Sequence, residues 1–245
     1  MGATRLSGKV MLTILGKPVL WHVVNRVSRA KLIDELVVAT TNRPKDDVIE
    51  KFCRENNTSI FRGQEKDVLD RYYQCAKKYN MENIVRITAD CPLHDPQIID
   101  LVIERYEEGD YDYISNGDPT SYPDGIDLEV FSFSALEKAW NNAKLSSERE
   151  HVTPYIRKNK NLFRVGNVQN ETDLSEFRWT LDQEEDFRFI KAVYEKLSES
   201  KSDIFYMNDI LELIDKCPEL LRINSNIVRN EGYQRSLKND KVIDL

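Results

Sequence analysis

Between residues 35 and 109, short apolar runs alternate with amphipathic helical patterns, and this alternation restricts the fold more than any other feature of the chain. "ELVVAT" (35–40), "TSIF" (58–61) and "NIVRITA" (83–89) are short and rich in β-branched residues, as buried strands are. "KDDVIEKFCREN" (45–56), "DVLDRYYQCAKKY" (67–79) and "DPQIIDLVIERYEEG" (95–109) carry apolar residues at helical spacing. The last has Asp95 in the capping position and Pro96 in the first turn. Strand, helix, strand, helix at this spacing predicts an α/β fold with a mainly parallel sheet covered on both faces. "PVLWHVVNRVSRA" (18–30) adds a helix opened by Pro18.

From about residue 110 the pattern loosens. "YDYIS" (111–115) and "DLEVFSF" (127–133) read as strands joined by a polar loop, followed by a helix at 134–143 and another starting near Ser146. "FRWTL" (177–181) reads as a late strand and "EEDFRFIKAVYEKLSE" (184–199) as a long amphipathic helix. After 205 the pattern suggests one short helix and an irregular tail. The expectation is a single domain over 1–245, with 110–175 as an inserted lobe over the carboxyl edge of the sheet.

Composition narrows the class of function. A net charge of −7 opposes nucleic-acid binding, which needs a basic face. No run approaches eighteen apolar residues, so no membrane span is predicted. Cys53, Cys75, Cys91 and Cys217 are scattered without a CxxC pair, which suits reduced thiols and a cytoplasmic location rather than zinc or disulfides. An anionic small molecule remains open as ligand if a local basic loop or a divalent cation receives it.

The opening "MGATRLSGKV" offers such a loop. Five residues separate Gly2 from Gly8 and Val10 follows Lys9, so the Walker A spacing fails. What remains is a Gly-containing turn with two cations, Arg5 and Lys9, able to neutralise phosphate charge. An unstructured basic N-terminus fits the composition equally well. In "IVRITADCPLHDP" (84–96) Asp90 sits where a strand leaves the sheet's carboxyl edge, the place where open α/β sheets bind ligands. Asp95 is explained as a helix cap; Asp90 is not. In "FRWTLDQEEDF" (177–187) the helix macrodipole explains Glu184, Glu185 and Asp186, but less well Asp182, which is placed as Asp90 is. Two strand-end aspartates can clamp one Mg²⁺. "FRGQEKDVLDRYY" (61–73) supplies Arg62 and Gly63, then Asp67 and Arg71 at the spacing of an ordinary helical ion pair. "SYPDGIDLEV" (121–130) supplies Asp124 and Glu129, and "SSEREHVTPYIRK" (146–158) supplies His151, one of three histidines. The "DYD" at 110–112 precedes its strand, which argues against a glycosyltransferase using a nucleotide sugar.

These stretches, in this order, resemble the cytidylyltransferases of the spore coat polysaccharide biosynthesis protein F type, relatives of the acylneuraminate and 3-deoxy-manno-octulosonate cytidylyltransferases. The resemblance implies a Rossmann-like nucleotide-diphospho-sugar transferase fold. It also implies Mg²⁺-assisted transfer of CMP from CTP to an acidic acceptor, with homodimers favoured. In that picture Gly2, Ala3, Thr4, Arg5, Gly8 and Lys9 hold the CTP phosphates, and Arg62, Gly63, Asp67 and Arg71 lie near the nucleotide. Asp90 and Asp182 bind the metal, Asp182 opening the family's Asp-x-x-Glu-Asp signature. Asp124, Glu129 and His151 face the acceptor; Arg5, Lys9, Asp90 and His151 are the catalytic candidates. A non-catalytic nucleotide-binding relative is the further alternative. The chain departs from the family at Ser7, where proline is usual. The family also carries a short strand directly ahead of the position of Met1, and the expectation is that this central strand belongs to the fold although the sequence lacks it.

Overall fold

The computed structural model describes residues 1–2, 5–199 and 204–243. Ala3 and Thr4 of the opening loop lie outside the described residues. A 3₁₀ turn at Lys9–Met11 leads into a small hairpin, β1 (Thr13–Ile14) and β2 (Lys17–Pro18), then α1 (Val19–Val27). The predicted alternation follows as β3 (Val37–Thr41), α2 (Asp47–Glu55), β4 (Ser59–Gly63), α3 (Val68–Lys78), β5 (Asn83–Arg86) and α4 (Pro96–Glu108). Next come β6 (Tyr113–Ser115), β7 (Glu129–Ser132), α5 (Phe133–Asn142), α6 (Ser146–His151), α7 (Pro154–Lys158) and β8 (Val165–Asn167). The chain ends through α8 (Glu184–Ser198), α9 (Met207–Lys216) and α10 (Glu231–Lys238).

Strands β3 and β4 pair in parallel, Val37 opposite Ser59, as a βαβ unit requires. The second sheet has the order β5-β7-β6-β8. Here β7 runs antiparallel to both its neighbours, while β6 and β8 are parallel. The sheet is therefore mixed rather than mainly parallel. The reason is local: residues 116–128 join β6 to β7 without a crossover helix, so the chain returns antiparallel. Strands β6, β7 and β8, all within 110–175, are hydrogen-bonded into the same sheet as β5.

Helices cover both faces. On β7, Val130 packs in a cluster with Val23 and Val27 of α1 and Val102 of α4. Its neighbour Phe131 points the other way, into Leu69 and Tyr73 of α3 and Leu136 of α5. The Asp95 cap falls where the sequence puts it, while Asp67, expected in a helical ion pair, caps α3. Asp67 accepts from Asp70 N and Asp95 from Gln97 N, each worth about 1 kcal/mol.

Two expectations fail. Residues 177–181 form no strand; Arg178 makes a single bridge to Asp124, because Asp124 N donates to Phe177 O and Trp179 N to Asp124 O, and the ladder stops there. The segment after 205 holds more than one short helix: α9, a 3₁₀ turn at Pro218–Arg222, and α10.

Candidate active site

Three segments far apart in sequence meet at the loop that follows residue 1. Gly8 adopts φ +70°, a conformation glycine takes without strain, and so turns the chain into the 3₁₀ turn that carries Lys9. Asp90 lies beyond β5, and Asp182 two residues ahead of α8. The hydrogen bond from Leu181 N to Asp90 O, 2.8 Å, locks those two segments together. Lys9 Nζ then bridges the carboxylates, 2.5 Å from Asp90 Oδ2 and 2.8 Å from Asp182 Oδ1. Arg5 reaches the other oxygen of Asp182 at 2.9 Å. Burial by itself lowers the Lys9 pKa, but the two carboxylates outweigh it and raise it above the usual lysine value. Burial would likewise raise Asp90, and Lys9 overcomes it and holds the carboxyl below its ordinary range. Both partners are charged at neutral pH.

A second layer fixes Asp182 and was not legible as a site. Arg178 places its Nε on Asp186 Oδ1 and its Nη1 on Asp124 Oδ2, each at 2.9 Å, and it approaches Asp182 at 3.5 Å. Asp186 also accepts from Asp182 N and Gln183 N, both at 2.9 Å. Asn224 donates to Arg178 O and to Asp186. Arg178 and Asp186 stand four before and four after Asp182, the one sequence signal that could have found them. Arg229, from the tail, grips Asp127 with Nη2 at 2.8 and 2.9 Å. Nothing local in the sequence links the two.

The other predicted residues divide. Gly2 is exposed beside Lys45, where a Cβ would come within 2.7 Å of the ammonium. Arg62 is committed to β3 and α2: its guanidinium binds Thr41 O, Arg43 O, Asp47 and Glu50. Gly63 ends β4, and a Cβ there would meet Arg71 Cγ at 2.9 Å. The expected Asp67–Arg71 pair is replaced. Arg149, almost fully buried, takes both oxygens of Asp67, while Arg71 donates to Gln64 O. The physical reason is that the Asp67 carboxylate turns inward as a cap, toward α6. Asp124 is buried against Arg178, its pKa raised by burial despite Arg229 and Arg178. Glu129 accepts from Arg86, Tyr113 and Thr153 at 2.5–2.6 Å. Burial favours its neutral form, but Arg86 and Arg157 hold its pKa low. His151 Nε2 lies 3.0 Å from Ser236 Oγ, its ring edge-on to Tyr233. Burial lowers its pKa, so it is neutral at pH 7.

The site thus gathers two cations and two carboxylates beyond the end of β5. Residues 1–206 match the cytidylyltransferase family, and the chain belongs to that family. It is similar to the spore coat polysaccharide biosynthesis protein SpsF of Bacillus subtilis, at 33% identity over 89% of this chain and 92% of that protein. A shorter match, 35% over 111 residues and 44% of each chain, joins it to 3-deoxy-manno-octulosonate cytidylyltransferase of Anaeromyxobacter dehalogenans. Among solved structures, a cytidylyltransferase from Leptospira borgpetersenii superposes with TM-score 0.84 and 36% identity, covering 90% of this chain and 92% of the other. The protein is an enzyme, a nucleotidyltransferase that moves CMP. Among the described residues no helix is long and apolar enough to cross a membrane.

Proposed function

We propose that the enzyme transfers CMP from CTP to an acidic sugar or a similar small acceptor, releasing pyrophosphate, in the making of a surface glycan. The placement of the Lys9 ammonium between Asp90 and Asp182 carries this reading. Two carboxylates converging on one point suit Mg²⁺, which takes oxygen ligands and combines one or two carboxylates with substrate phosphates. Asp90 and Asp182 would hold the ion, and when bound it would offset charge developing on the α-phosphate. Lys9 and Arg5, released from the carboxylates, pair instead with the β- and γ-phosphates and stabilise the departing pyrophosphate. An acceptor hydroxyl attacks the α-phosphorus in line; the new P–O bond forms as the bond to the β-phosphate oxygen breaks.

His151 is neutral at pH 7 and is the protein's candidate for taking the hydroxyl proton. The named activity of the octulosonate relative supports an acidic acceptor, and the named role of SpsF supports a polysaccharide pathway. A homodimer and a cytoplasmic location complete the proposal; free cysteines at 53, 75, 91 and 217 are consistent with a reducing compartment.

The test is a pyrophosphate-release screen of the four nucleoside triphosphates against sugar acids, with Mg²⁺ and with EDTA. CTP with a sugar acid should turn over only when the cation is present. Equal turnover with UTP, or release in EDTA, refutes the reading.

A further inference from the structure

His151 is the last residue of α6, and the backbone turns sharply behind it. Val152 takes φ +74° and ψ −57°, and Thr153 N donates to His151 O at 2.9 Å, which makes a three-residue γ-turn. A positive φ strains a β-branched residue, and such strain persists only where the surrounding packing imposes it. Val152 is fully buried in the cluster that holds Leu69, Tyr113 and Phe131, and the Thr153 hydroxyl donates to Glu129. The backbone of His151 is therefore fixed from the α7 side, while its side chain keeps 27% of its surface exposed.

The tail fixes the ring. Ser146 N donates to Lys241 O and Ile243 N to Lys144 O, which pins the segment after α10 to the start of α6. Tyr233 of α10 then stands edge-on to the imidazole, and Ser236 Oγ lies 3.0 Å from Nε2. The same Oγ is 2.9 Å from Glu150 Oε2 and 3.2 Å from Gly232 O. A hydroxyl has one proton to give to these three acceptors. The carboxylate is the nearest and the only charged one of the three, and a charge-assisted bond is about twice as strong as a neutral one, so Ser236 donates to Glu150. Oγ is left to accept from the ring, which puts the proton of the neutral imidazole on Nε2. Among the described residues His151 makes its side-chain hydrogen bond through Nε2, which leaves the Nδ1 lone pair free. Glu150 itself is 3.8 Å from Nε2, too far for a direct hydrogen bond, and acts on the ring through the serine. Burial is the main force against protonating the ring; Glu150 opposes it, Arg86 of β5 and Arg157 of α7 add to it, and Glu129 of β7 opposes it.

We propose that Ser236 and Glu150 are positioning residues for His151: the relay Nε2–H to Oγ–H to Oε2 holds the ring in one tautomer and presents Nδ1 as the nitrogen that takes the acceptor's hydroxyl proton. The last clause rests on the reading of His151 as the base. As the acceptor oxygen bonds to the α-phosphorus and the bond to the β-phosphate oxygen breaks, the hydroxyl proton passes to Nδ1. The imidazolium so formed donates from Nε2 to Ser236, and the Glu150 carboxylate faces its charge across one hydroxyl. The helix that carries Ser236 also reaches the phosphate loop, because Glu231 in its first turn meets Arg5 at 3.1 Å. Five residues separate Glu231 from Ser236, about 7.5 Å of helical rise.

Nitrogen-15 NMR of the full chain without substrates tests the relay. The protein has three imidazoles, and His151→Asn identifies the signal that matters. At neutral pH the His151 ring should carry its proton on Nε2 alone. Ser236→Ala should populate both tautomers and lower the midpoint of the ring's titration, because the imidazolium loses its acceptor. Ser236→Thr restores the hydroxyl and should recover the parental tautomer and midpoint. Glu150→Gln, at an exposed position, keeps an acceptor without the charge and should also lower the midpoint. Pyrophosphate release from CTP and Mg²⁺, with the sugar acid that turns over in the screen above, adds the kinetic reading. There kcat should fall at least about 10-fold in Ser236→Ala with the KM for CTP unchanged, and recover in Ser236→Thr. A parental ring protonated on Nδ1 overturns the proposal, as does a tautomer or midpoint indifferent to Ser236→Ala; both leave His151 standing as base. Full turnover by His151→Asn overturns the base reading and the Nδ1 step with it, whatever the tautomer. The spectra decide the relay even if no sugar acid turns over.

Discussion

Lys9 satisfies two carboxylates at once, so Asp90 and Asp182 share one cation and should not behave as independent residues. Asp90→Asn should lower kcat by at least about 100-fold, the scale of losing one electrostatic stabiliser of a transition state. Asp182→Asn should act similarly, and steady-state kinetics of the double variant should show far less than the product of the two losses. Multiplicative losses would separate the two carboxylates. Asp46 makes the residue-level prediction for pH. Burial would raise its pKa, but the Thr41 hydroxyl, the Met1 ammonium and the Thr40 hydroxyl bring it down to about 2. A carboxyl depressed in the fold stabilises above its unfolded pKa and loses that contribution as the pH falls through the folded one. In the chain beginning at Met1, roughly 2 kcal/mol should therefore disappear between about pH 4 and pH 2. Urea melts across that window should show it, and Asp46→Asn should flatten the step.

Gly125 decides how the loop after β6 meets the segment before α8. Its φ is +110°, and a Cβ would lie 2.5 Å from Thr180 N and from the carbonyl carbon of Trp179. Gly125→Ala should cost about 1–3 kcal/mol from backbone strain alone and displace Asp124 from Arg178, measured by denaturant midpoint and by kcat. Asp67 joins elements in another way: it caps α3 and neutralises Arg149 of α6. Asp67→Ala should destabilise by about 3 kcal/mol or more, since it removes the cap and leaves a buried guanidinium unpaired. Asp67→Asn keeps the cap and should cost less. The sequence offered the Asp67–Arg71 spacing, a correct local pattern whose partner was taken by a residue 82 positions away. Propensity likewise favoured a strand at 177–181. Arg178, Trp179, Thr180 and Leu181 are buried, but their neighbour, the Asp124 turn, pairs with them only at the single bridge to Arg178.

The tail closes the molecule over its own site. Asn224 reaches Asp186, Arg229 holds Asp127, and Glu231 meets Arg5 at 3.1 Å. Asp240 accepts from Ser146 and Ser147 at the start of α6. Removing residues 225–245 should lower the melting temperature by about 5 °C or more, with Arg229→Met giving part of that loss in a scanning calorimeter. The sequence by itself determined most of the element order, the cap at Asp95, and Asp90 and Asp182 as site candidates, because periodicity and capping act over a few neighbouring residues. It also carried the family, through motifs whose spacing survives in one dimension. Only the tertiary structure decided that Lys9 sits between Asp90 and Asp182, that Arg178 braces them, and that β7 enters antiparallel. Those are contacts between segments distant in the chain, chosen by burial and charge pairing once the elements have packed, and no local pattern encodes them.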